Sequence, residues 1–281
     1  MALHNVSNNR VSEIIRSAFQ RDFEVDRNLP PWARRTHPVV RRHLGTFWRV
    51  MPLQPDIMLR WYVIFALAVM STLLAPFMYT VVLPLCLIGL ALLPFSLIYY
   101  ARTLYELASD ASRSMVREIE GKTLDLLLTS PMTAREVLSS KIAATLWRQS
   151  DPMTTLLQIV LFSQLPTHML IYINAFPPGD YPYAMQFLTV IVFGASLLRI
   201  PLEMFMVSSI GHYIGTTTRG RSTAAAQTLA IIVVYFISVN MFRLTHLPPL
   251  ADLIVNAVIP VVAPLVIGLG FMTLTLRQFH D

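Results

Sequence analysis

Six runs of about 20 mostly apolar residues dominate this sequence and leave it little choice of fold. They lie near 58–78, 81–104, 153–176, 184–210, 222–242 and 253–275. About 20 such residues carry a helix across the hydrocarbon core, where every backbone polar group must be satisfied internally. Of the 281 residues only 14% are charged, against about 25% in soluble domains. The expectation is an all-α membrane protein with six transmembrane helices. The first two runs nearly touch, so Met78, Tyr79 and Thr80 are predicted to form a tight hairpin or short surface turn. The last run contains Pro260 and Pro264, which can break it. Residues 243–259 would then dip into the membrane and return.

Orientation follows from the basic residues. Ten of the 22 Lys and Arg lie in 1–60 and seven in 102–148, with Arg219, Arg221 and Arg277 further on. Segments 79–80 and 177–183 have none, and the loop after Met241 has only Arg243. Basic loops stay in the cytoplasm, so both termini are expected there. The net charge of +6 is segregated along the chain. That fits membrane orientation rather than nucleic acid. The one cysteine, Cys86, cannot form an intrachain disulfide.

Before the first run come a polar arm, residues 1–36, and an amphipathic stretch, 37–57. In "PVVRRHLGTFWRV", Val39, Val40, Leu44, Phe47 and Trp48 share one helical face, with Arg41, Arg42 and Arg49 opposite. This is the pattern of a helix lying in the membrane interface. It serves either as a basic anchor for the first crossing or as a docking element.

Between the second and third runs lies "EIEGKTLDLLLTSP", residues 118–131. Gly121-Lys122-Thr123 matches the end of a phosphate-binding loop, but that loop needs a glycine where Val116 stands, and a strand before it. Polar, helical sequence precedes it instead, so no nucleotide site is expected in this chain. Leu124, Leu127 and Leu128 form an apolar ridge at i, i+3 and i+4, flanked by Glu118, Glu120 and Asp125. Thr129-Ser130-Pro131 ends the helix. Thr133, with Glu136 three residues on, reads as the capping box of the next one. The ridge is the expected anchor for a partner groove with an apolar floor and a basic rim.

This stretch resembles the cytoplasmic loop of ABC-2 type transporter permeases. Glu118, Glu120, Thr123, Leu124, Asp125, Leu126, Leu127, Leu128, Pro131, Glu136 and Lys141 fall in register with the family's pattern. Two positions depart, since Lys122 and Ser140 stand where the family has glycine. "HPVVRRHL" is similar to the family's interfacial helix. "IGTTTRGRSTAAAQTLAI", with Thr217, Arg219 and Arg221, resembles its second cytoplasmic turn. The resemblance implies a six-helix transmembrane domain over 58–281 and a coupling helix within 118–138 that seats on a separate ABC ATPase subunit. It also implies pairing with a second permease copy or homologous permease, and ATP-driven transport, mostly export, at a plasma (inner) membrane of prokaryotic type. ATP and Mg would belong to the partner subunit, with no catalytic residue, cofactor or metal here. The short outer loops favour a lipid, a glycan chain or a small amphiphile as cargo.

Arg199 and Glu203, at i, i+4 in the fourth run, either line the path or satisfy each other as an ion pair. His168 and His212 invite a haem reading, but their expected depths disagree. The alternative function is a membrane-anchor or quinone-adjacent subunit of a redox complex. It offers no reason for the 118–141 pattern.

Overall fold

The computed structural model describes residues 27–45, 55–75, 77–129, 131–177, 180–181, 183–243, 251 and 253–279. Among them regular structure is entirely helical. A 3-10 turn, Pro31–Ala33, precedes α1 (Pro38–Leu44), α2 (Pro55–Ser71), α3 (Met78–Glu120), α4 (Thr123–Leu128) and α5 (Ala134–Arg148). Then come α6 (Ser150–Ala175), α7 (Ala184–Thr217), α8 (Arg221–Arg243), a π-helical turn (Ile254–Val258) and α9 (Ile259–Gln278).

Four helical segments among the described residues are long and apolar enough to cross a membrane: Ser150–Ala175, Ala184–Thr217, Arg221–Met241 and Ile254–Gln278. The first two expected crossings fall on α2, whose apolar part Ile57–Ser71 is shorter, and on the first half of α3. Helix α3 does not stop at a membrane surface. Its 43 residues extend about 65 Å at 1.5 Å per residue, roughly twice the hydrocarbon thickness. A single rod therefore joins an apolar half to the polar stretch that ends at Glu120.

Two expectations about breaks are corrected. The join between the first two runs sits earlier than Met78, because α3 already starts there. Thr72, whose hydroxyl donates to the Val69 carbonyl (2.7 Å), lies just past the end of α2. Pro76 bars Ala75 from helical geometry. The last run is not broken at its prolines. Pro260 falls in the first turn of α9, where its missing N–H is not needed, and the helix continues through Pro264. Residues 244–250 and 252, part of the expected re-entrant stretch, lie outside the described residues.

Helix α7 is the central post, with α3, α6, α8 and α9 packed around it. Leu107, Leu156, Met204, Ile210 and Ile232 belong to the shared core. The α3–α7 seam is close because its residues are small. A Cβ built on Gly211 would lie 2.7 Å from the Ala111 Cβ, and one on Gly215 would lie 2.6 Å from the Met115 Cβ. This Gly-x-x-x-Gly spacing lets two helix backbones approach. Outward-facing Leu59, Leu67, Val234 and Ile237 are exposed on α2 and α8, as a surface against lipid requires.

Candidate functional site

The stretch from Glu118 to Lys141 folds into a compact hairpin of helices. Gly121 caps α3, its N–H bonded to the Arg117 carbonyl at 3.0 Å. Lys122 follows with φ +52°, the left-handed conformation that a glycine adopts without penalty. Gly121-Lys122-Thr123 thus links two helices, where a phosphate-binding loop would link a strand to a helix. The Thr123 hydroxyl returns to the Glu118 carbonyl (3.3 Å) and steadies the start of α4. Thr133 caps α5 as its sequence predicts, its hydroxyl accepting from the Glu136 N–H at 3.2 Å. The Glu136 carboxylate reaches His37 (3.4 Å).

The two ends of the pattern meet. Lys141 Nζ pairs with Glu118 Oε2, and both side chains are buried, at 3% and 8% exposure. Lys141 Nζ also lies 3.5 Å from Met115 Sδ on α3. His43 Nε2 of α1 lies 2.8 Å from Glu118 Oε1, off the direction of a hydrogen bond. Burial, and secondarily the charge of Arg42, pull Lys141 below the usual lysine value, while its contact with Glu118 keeps the two paired. Burial first, then Lys141, Arg42 and Arg148, hold His43 down at about 4. At neutral pH, His43 is uncharged and Glu118 ties α3 to α5.

Helix α1 completes this clamp. Val40 and Leu44 pack on Ala143 and Ala144 of α5, while Val39 meets Leu127 of α4 and Val137 of α5. Arg41 and Arg42 stay exposed, so the predicted two-faced pattern holds over Pro38–Leu44. Its apolar side is covered by protein. Gly45 (φ +54°) ends the helix, and Phe47, Trp48 and Arg49 lie outside the described residues. The Trp147 indole N–H donates to the Ala33 carbonyl (2.8 Å), and Arg35 sits over the Trp147 ring. These contacts fix the segment before α1 to α5.

The apolar ridge faces inward. Leu127 is buried against Val39 and Val137. Leu124 is also buried and lines a small cleft with Thr216 of α7 and Gln278 of α9. Among the described leucine side chains of α4, Leu126 is the exposed one, at 71%. Pro131 is exposed beyond it. The side chains of Asp125 and Leu128 lie outside the described residues. Glu120 is exposed, and its Oε2 accepts from Arg221 Nε at 3.0 Å. The turn between α7 and α8, where Thr217 and Arg219 are also exposed, is thereby tied to the end of α3.

Deeper in the bundle, Arg199 Nε meets Glu203 Oε1 at 2.6 Å, and Tyr235 donates to the same oxygen at 3.2 Å. Glu203 is fully buried, and the two form an ion pair within α7 that Tyr235 ties to α8. His168 shares a hydrogen bond with Ser196 (2.8 Å), and His212 Nδ1 lies 2.7 Å from the Ser208 carbonyl. The Thr145 and Ser208 hydroxyls, 2.6 Å apart, link α5 to α7. The α3–α5 clamp, the Gly211–Gly215 seam and the exposure of Leu126 escaped sequence reasoning. Only the glycine spacing left a readable signal.

No curated protein sequence and no solved structure matches the chain. The sequence profile of the ABC-2 family transporter proteins matches residues 109–267, from the polar end of α3 into α9. That match covers more than half of the chain and contains the Glu118–Lys141 pair, so this multi-pass membrane protein belongs to the ABC-2 transporter family as a permease.

Proposed function

We propose that this permease forms the translocation path of an ABC exporter and takes its power from a separate ATPase subunit docked at the α3–α4–α5 hairpin. One observation carries the reading: α4 presents the exposed Leu126 at the tip of a hairpin braced to the membrane helices on both sides. Force applied at α4 passes into α3 through Glu118 and into α6 through α5. The chain is the non-enzymatic component, and ATP hydrolysis belongs to the partner. Two permease copies, or two homologues, pair across a plasma membrane. Each makes six crossings, with α2 and the first half of α3 as the first two and both termini in the cytoplasm. The outer-facing residues near Asp180 carry no basic side chain, in keeping with that orientation.

The docking residue in this reading is Leu126, since Leu124 and Leu127 already hold the hairpin together. Burying one leucine contributes about 1.5–3 kcal/mol. Leu126→Asp should therefore reduce the ATPase that co-purifies with the tagged permease by roughly ten-fold or more. ATP hydrolysis in the eluate and transport into inverted vesicles are the readouts. An eluate with wild-type ATPase content for Leu126→Asp removes α4 as the docking element. A haem absorption band with no ATPase would favour the redox-subunit alternative.

A further inference from the structure

Among the described residues, one face of α5 is left open. It floors a cavity of about 820 Å³ whose other walls are the 3-10 turn, the start of α6, Phe205 of α7, and Leu269 and Met272 of α9. That volume suits a small-molecule site. Its chemistry changes along its length. Arg135 at one end is exposed and makes no ion pair among the described residues. Its neighbour Glu136 is engaged by His37. Ser150, the first residue of α6, is only 3% exposed. Its hydroxyl has no hydrogen-bond partner among the described residues. Beyond it the walls are apolar: Met153, Phe205, Leu269 and Met272.

We propose that this cavity binds one anionic lipid of the cytoplasmic leaflet. Arg135 holds the phosphate headgroup, and the acyl chain runs past Ile142 and Leu146 to lie over Phe205, Leu269 and Met272. A cation at one end and an apolar wall at the other match the headgroup and the acyl chain of such a lipid. A soluble anion would use Arg135 alone and leave the apolar end in water. A cytoplasmic peptide would not fill a cavity that runs in among helices able to cross a membrane. The proposal rests on the cytoplasmic placement of α5 given above and not on the ATPase partner.

Native mass spectrometry of the full chain, released from detergent with added phosphatidylglycerol or phosphatidylcholine, tests it. One phosphatidylglycerol per chain should be retained, and phosphatidylcholine several-fold less. Arg135→Gln should lower phosphatidylglycerol retention by roughly three- to ten-fold, the scale of one charge-assisted contact. Leu269→Trp fills the apolar end from an exposed position and should lower retention of both lipids. Equal retention of the two lipids by the wild-type chain would overturn the proposal. So would phosphatidylglycerol retention unchanged in both variants. If Leu269→Trp leaves lipid retention intact and instead dissociates a dimer, the groove belongs to a second copy of the chain. Labelling of Gly121→Cys from outside the cell would show that the placement of α5, and not the lipid site, is at fault.

Discussion

Replacing Lys141 with methionine would remove one side of the buried pair and keep most of the side-chain volume. Glu118, at 8% exposure, would then face Met115 and a neutral His43 with no cation in contact. Breaking a buried ion pair from one side costs about 3–5 kcal/mol. The deserted carboxylate can escape by taking a proton. From an ordinary glutamate pKa of about 4.3, that costs roughly 4 kcal/mol at pH 7, which caps the penalty. His43 can relieve it further by becoming charged, at a cost that falls as the pH falls. We therefore expect Lys141→Met to cost about 2–4 kcal/mol at pH 7, or roughly 5–15 °C in the unfolding midpoint of the detergent-solubilised chain. The loss should shrink steadily toward pH 5. Adding Glu118→Gln to Lys141→Met should recover half or more of it, since the orphaned charge is then gone. Intrinsic fluorescence during a thermal ramp, repeated at several pH values, measures all of this. A single variant within about 0.5 kcal/mol of wild type at pH 7 would refute the clamp, as would strictly additive single and double variants.

The His43 imidazole, held at about 4 in the fold and near 6.5 when unfolded, gives a second pH signature. Between those values the unfolded chain binds the extra proton, so stability falls as pH falls, by about 2 kcal/mol from pH 7 to 5. His43→Gln should flatten that slope in the same thermal ramp. Lys122→Gly should raise stability by about 0.5–1 kcal/mol, because it relieves a left-handed residue at some cost in chain entropy. Lys122→Val, which branches at the wrong φ, should lower it. Gly215→Ala places a methyl where Met115 and Ser112 already stand. It should cost about 1–3 kcal/mol, while Gly270→Ala, with open space around it, should be near neutral. With Cys86→Ser as background, a membrane-impermeant thiol reagent added outside should label Asp180→Cys and not Gly121→Cys; the reverse would invert the orientation.

What the sequence determined by itself is local or set by the solvent. Long apolar runs are legible because hydrocarbon demands them, and four of the six expected runs reappear as helices able to cross it. The capping of α5 by Thr133 was legible because an N-cap bonds three residues along its own chain. The 118–141 pattern was legible as a family resemblance, and the profile match confirms it. Tertiary structure decided what covers each face. A leucine ridge has the same periodicity whether a partner or the chain's own α1 lies on it. Only the fold showed Val39 and Val137 over Leu127, and Leu126 turned out. The carboxylates Glu118 and Glu120 look alike in sequence, two residues apart on one helix. Yet one is buried against a lysine 23 residues away and the other meets Arg221 at the surface. A helix that rotates about 100° per residue turns neighbouring side chains toward different surroundings. Which surroundings those are is fixed by helices distant in sequence, and no local pattern records them.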